Sequence, residues 1–182
     1  MVRELILRVA ADELGVSRAA GFSLEKVAAR AGVEPSAVQK WWPNSPALLA
    51  DTLTACTSGY AQTVPDTGTL HGDLLEYALS YAAMVSTPMG RRVLDAMIAR
   101  PGDWDVMDVR DAYLESRRQF AAVIVQRGID RGECRPGTDP GRLIETLTLA
   151  VCLPVLIYDR TITDDDCRSA VDIVTHGIAG RR

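Results

Sequence analysis

Residues Ala28 to Leu49 read AARAGVEPSAVQKWWPNSPALL, which places Ser36, Ala37, Gln39 and Lys40 directly before two adjacent tryptophans, Trp41 and Trp42. These side chains suit the reading of a nucleic-acid duplex better than they suit catalysis. A Gln amide can bond adenine through two atoms, a Lys ammonium can reach guanine or a phosphate, and an alanine methyl can touch a thymine methyl. An indole N–H needs a partner when buried and can donate to a phosphate when exposed. Both readings stand for Trp41, whereas Trp42 is assigned to the core.

Such groups work only if a short helix carries them clear of the protein body. Pro35 fits the first position of that helix, where its missing N–H costs nothing, and Pro43 stops it. A helix from Pro35 to about Trp41 is ~10 Å long at 1.5 Å per residue, enough for one groove contact. The helix before it starts after Ser23, a good N-cap, with Phe22 and Val27 at the staple positions, and ends at Ala31-Gly32. Val33 and Val38 should face a small core with Leu24, Val27 and Ala28. A first helix from about Val2 to Leu14 is expected to break at GVSRAAG. Asn44 or Ser45 should cap a fourth, running to roughly Tyr60. Three short helices, the last two joined by a tight Gly turn, make a helix-turn-helix.

Helical periodicity also dominates the rest of the chain, and no strand-like alternation is long enough to trust. After the linker-like TVPDTGT, helices are expected over Leu70–Ser86, Pro88–Arg100, Trp104–Arg131, Pro140–Tyr158 and Asp164–Ile178. The whole is therefore all-α, with about nine helices. Pro154 should kink its helix near Ala150. Thr163 should cap the last helix, with Asp164, Asp165 and Asp166 where its dipole favours them.

The 182 residues carry a formal charge of -4. Residues 1–54 hold four Arg, two Lys and six acids and sum to zero, so any basic footprint must be local. Cys56, Cys134, Cys152 and Cys167 show no metal-ligand spacing and read as reduced, packed thiols, with a redox role weighed only for Cys134. The two histidines, His71 and His176, have no motif around them. Asp103, Asp105, Asp108 and Asp111 read as a polar face at a helix start. No Gly-rich phosphate loop, nucleophile elbow or metal cluster is visible, so no enzyme, cofactor or metal is expected. Met1 is followed at once by charged Arg3 and Glu4, unlike a secretory leader. The apolar run Leu143 to Tyr158 falls short of the ~20 residues a membrane span needs. The expected location is the cytoplasm.

The stretch ILRVAADELG…GFSLEKVAARAGVEPSAVQKWWPNSPALL resembles the N-terminal DNA-binding domain of the tetracycline-repressor (TetR) family. RGIDRGECRPGTDP, followed by an apolar helix and then VDIVTHGI, is similar to that family's ligand-binding and dimerisation domain. The resemblance implies a helix-turn-helix domain over 1–54 and an effector and dimer domain over 55–182. It implies DNA contacts from Ser23, Lys26, Ser36, Ala37, Gln39, Lys40, Trp41, Asn44 and Ser45. The family's frequent Tyr is Gln39 here, its common Lys at the fourth helix is Ser45, and Glu25 stands where a base is often found. These departures imply a shallower salt dependence.

The resemblance further implies a homodimer on a palindromic operator, with half-sites ~34–36 Å apart, and a small-molecule effector that releases it. Leu143, Leu147, Val151 and Val155, with Val171, Val174 and Ile178, are the expected dimer face. Tyr77, Tyr81, Met84, Met97, Trp104, Met107, Tyr113 and Phe120 are suited to line a mostly apolar effector cavity, where Met adapts and Tyr offers a hydroxyl. The rival reading is a helical small-molecule binding protein whose helix-turn-helix is vestigial.

Overall fold

A computed structural model describes residues 2–57, 63–98, 104–135 and 137–176, without the side chains of residues 18–20, 97–98 and 104–107. All regular structure among them is helical: α1 (Val2–Gly21), α2 (Leu24–Ala31), α3 (Pro35–Gln39), α4 (Ser45–Thr57), α5 (Leu70–Val85), α6 (Pro88–Ile98), α7 (Trp104–Asp130), α8 (Pro140–Tyr158) and α9 (Asp164–His176). Two compact units result, one of Met1–Gly59 with Pro88–Leu114, the other of Tyr60–Thr87 with Glu115–Arg182. Packing thus groups α6 and the start of α7 with the N-terminal helices.

In the first unit, α1 buries Ile6, Ala10 and Leu14 against Leu24, Val27, Val38, Leu48, Leu49 and Leu53, with Val93 and Ala96 of α6 in the same cluster. The expected break after Leu14 does not occur, since α1 runs on to Gly21. Gly15 is tolerated there because Arg92 lies across it. A Cβ at that position would stand 2.6 Å from Arg92 Nε, and the guanidinium goes on to pair with Asp12 at 2.6 Å. Glu13, also in the continued helix, is buried, and its carboxylate accepts from Ser17 Oγ and from Arg30 at 3.1 Å. That pair ties α1 to α2.

The α2 boundaries follow local chemistry. Ser23 Oγ accepts from Lys26 N at 3.2 Å, and Phe22 and Val27 are both buried as a staple. At the far end Gly32 takes φ +67°, and the N–H of Val33 reaches the Ala28 carbonyl at 3.0 Å. This is a left-handed cap that glycine adopts without a Cβ penalty.

In the second unit, α5 packs on α8 and α9, and those two pack on each other. Leu74, Tyr77, Ala78, Ile124, Val125, Ile144, Leu147, Val151, Cys167 and Val171 are buried. Gly128 lets α7 approach α5, because a Cβ there would meet Leu70 Cδ1 at 2.9 Å. Asp73 is wholly buried at the α5 start. Its carboxylate accepts from Thr67 N at 2.5 Å, Thr67 Oγ1 at 2.8 Å and Arg131 at 3.1 Å. Glu133 accepts from Leu70 N and from Arg131, so the loop before α5 and the end of α7 share one polar knot. Burial pushes the Asp73 carboxyl up, but these donors outweigh it and leave it below the ordinary carboxylate range.

At 19 residues, α8 is longer than the apolar run read from sequence, and by length and composition it could cross a membrane. One side of it is nevertheless used in packing against α5 and α9. The helix runs unbroken through Pro154, and Asp159 caps it at φ 45°.

Candidate functional site

The short α3 separates its side chains as the sequence predicts. Val38 is fully buried and Val33 packs on the same core, while Ser36, Gln39 and Lys40 are exposed and Ala37 is half-buried. The two tryptophans part company. Trp42 is 2 % exposed, donates its indole N–H to Asp51 at 2.9 Å, and has the Arg3 guanidinium over its ring at 5.4 Å. Trp41 is 56 % exposed.

The flanking residues divide their work. Asn44 caps α4, its Oδ1 accepting from Ala47 N at 2.9 Å. Ser45 Oγ instead accepts from Leu24 N at 2.9 Å, which ties the start of α4 to the start of α2. Nothing in the sequence signalled that link across 21 residues. Lys26 Nζ donates to the Gly21 carbonyl at 2.7 Å. Ser23, Lys26, Asn44 and Ser45 therefore lie at the two helix starts beside α3, and all four side chains already bond to backbone groups at helix ends of their own unit.

The expected effector residues are not all brought together. Tyr77 and Met84 are buried in the second unit, and Tyr81 is half-buried with its ring stacked on Tyr77 at 6.2 Å. The Tyr77 hydroxyl meets Thr148 Oγ1 of α8 at 3.4 Å. Phe120 is half-buried under Arg117 at 4.9 Å. Tyr113 departs from the expectation: it packs against the core of the first unit, because the early part of the long α7 belongs there. The side chains of Met97, Trp104 and Met107 lie outside the described residues.

The dimer expectation also needs correcting. Leu147, Val151, Val155 and Val171 are buried inside the chain itself, and Leu143 and Val174 are half-buried. Ile178 lies outside the described residues. The physical reason is that α8 is apolar nearly all round, and sequence could not say which stripe its own domain takes. The stripe left exposed is Leu149, Leu153 and Ile157, four residues apart, with Tyr158 beside it and Ile173 on α9.

The four thiols are free. Burial pushes the Cys134 thiol up, with Glu133 adding to the effect, and its S–H points to the Val125 carbonyl at 3.9 Å. That favours the protonated thiol, the less nucleophilic form. Burial also drives Cys56 to about 11.

A model describing the tetracyclin repressor-like C-terminal domain matches residues 64–174, more than half the chain. The chain belongs to the TetR family. This regulator is 29% identical over 151 residues to the HTH-type transcriptional regulator AqdR of Rhodococcus erythropolis, covering 83% of this chain and 72% of that protein. It is 26% identical over 150 residues to the HTH-type regulator YdeS of Bacillus subtilis, covering 82% and 75%. Among solved structures, the TetR family transcription regulator SCO0332 aligns with a TM-score of 0.74 and 28% identity, over 98% of this chain and 99% of that one. FadR of Bacillus subtilis, solved in complex with stearoyl-CoA, shares the fold at a TM-score of 0.78 and 14% identity, over 97% and 100%. These relatives are named as regulators of transcription, not as enzymes. The chain is accordingly an all-helical transcription regulator of this family.

Proposed function

We propose that the regulator is a cytoplasmic repressor that binds a palindromic operator as a homodimer and leaves it when a small hydrophobic or aromatic molecule binds. One observation carries the DNA half: Val38 of α3 is buried in the core and Val33 just before the helix packs against it, while Ser36, Gln39 and the following Lys40 and Trp41 face solvent. Ala37 and Gln39 would read base edges, Lys40 a guanine or a phosphate, and Ser23, Lys26, Asn44 and Ser45 would meet backbone oxygens at the helix starts. The effector would contact Tyr77, Tyr81, Met84 and Phe120 in the second unit. The stearoyl-CoA bound to the FadR relative is in keeping with an apolar occupant.

Release follows from differential affinity. A ligand that prefers a form whose half-site spacing does not fit B-form DNA draws the population into that form. The dimer would be made through the exposed stripe of α8, completed by α9.

The test is a gel shift with duplex from upstream of the protein's own coding region, repeated with Gln39→Ala and Lys40→Ala. Salt-sensitive binding to a palindrome, lowered by both changes and reversed by hydrophobic molecules, is the expected result. If the wild-type protein retains hydrophobic ligands but shifts no duplex, it is a small-molecule binding protein instead.

A further inference from the structure

The geometry points to a metal site made of His71, Asp172 and His176, which takes a divalent late transition ion such as zinc and pins the end of α9 to the start of α5. The site lies outside the DNA-reading helices and does not depend on the operator reading above. The chain has two histidines in 182 residues, and the fold brings both to one carboxylate oxygen. His71 Nε2 stands 3.0 Å from Asp172 Oδ1 although 101 residues separate them, and His176 Nδ1 stands 3.8 Å from the same oxygen. The two imidazole rings lie 6.0 Å apart between centroids, inclined at 43°.

Imidazole nitrogens suit zinc, nickel and copper ions, and one carboxylate completes a three-ligand set that leaves a position for water. Two ligand atoms on one tetrahedral zinc stand about 3.4 Å apart at the usual bond lengths, between the two separations seen here. Two imidazoles on such an ion would have centroids about 5 Å apart, so the rings must close by about 1 Å. Asp172 and His176 are one turn apart on α9, which sets both on one face, the spacing used by paired helical zinc ligands. His71 comes from the first turn of α5, and α5 and α9 pack directly on each other. As they stand, no three such side chains among the described residues converge as a complete ligand set. The missing step is a turn of the His176 ring, whose Nδ1 lies 3.0 Å from Thr175 Oγ1. That side chain is 57 % exposed and the His71 side chain 42 %, which leaves both rings room to turn and an ion room to enter.

The test uses the tag-free full chain at about pH 7.5, where an ordinary imidazole is mostly neutral and able to ligate. Zinc sulfate is titrated in while the imidazole C–H resonances are followed by proton NMR and the heat by calorimetry. With only His71 and His176 in the chain, each resonance can be assigned from one variant. The expected result is one ion per chain, both resonances moving together, and slower amide exchange at the end of α9. His71→Gln and His176→Gln should each weaken zinc binding at least about tenfold. Both side chains are exposed, and each variant keeps all four cysteines. Zinc held as tightly by the two variants as by the wild type belongs to thiols or to other carboxylates and overturns the proposal. Movement of one resonance alone, unchanged exchange in α9 with zinc bound, or no binding at millimolar zinc overturns it equally.

Discussion

Single residues decide whether the corner has its shape. Gly32 holds φ +67° between α2 and α3, where a side chain would be strained although open space surrounds it. Gly32→Ala should therefore cost about 1 kcal/mol, seen as a lower denaturant midpoint with an unchanged slope. Trp42 shows how a polar tip is carried into a core. Asp51 accepts its N–H at 2.9 Å and at the same time binds Arg3 at 2.6 Å, so one carboxylate serves two donors. Trp42→Phe removes one neutral donor and leaves Asp51 its arginine. It should destabilise the protein by about 1 kcal/mol in a urea titration.

At the scale of elements, the polar knot around Asp73 joins the loop before α5 to the end of α7. The carboxyl sits below its ordinary range in the folded protein, so it contributes stability above the unfolded carboxylate value near pH ~4. That contribution fades as pH falls through the lower folded value. Asp73→Asn should cost about 2 kcal/mol near neutrality, because Arg131 and the Thr67 amide lose a charged acceptor. Urea unfolding of the two proteins at neutral pH and again at about pH 3 should show the gap narrowing on the acid side. A gap that widened in acid would mean that the knot is not held by the ionised form. His71 of α5 and His176 of α9 also meet at Asp172, at 3.0 and 3.8 Å, although they stand far apart in sequence and have no motif around them.

For the whole molecule, the proposed homodimer turns on which surface a second copy would cover. Leu149 and Ile157 are 59 % and 64 % exposed on α8, although that helix is one of the most apolar in the chain. A helix apolar all round belongs among partners on every side. Leu153→Asp places a charge in the middle of the exposed stripe without touching the buried one. The expected outcome is a monomer in sedimentation velocity and operator binding weakened at least about 100-fold, since half-site contacts no longer add. The same substitution at a surface that stays open would leave both measurements unchanged.

The order of the helices and the outline of the corner were legible in the sequence because caps, prolines and apolar spacing act over a few residues. Ser23, Gly32, Pro35 and Asp139 each mark a boundary through bonds to near neighbours. The continuation of α1 past Gly15 was not legible, because what supports it is Arg92, 77 residues away in the chain and brought near by packing. For the same reason tertiary structure alone could give Ser45 to Leu24, Tyr113 to the first unit, and Leu147, Val151 and Val155 to the interior. Spacing fixes which residues share a helix face. Which face is buried depends on the elements that arrive from elsewhere in the chain, and only the folded molecule brings those together.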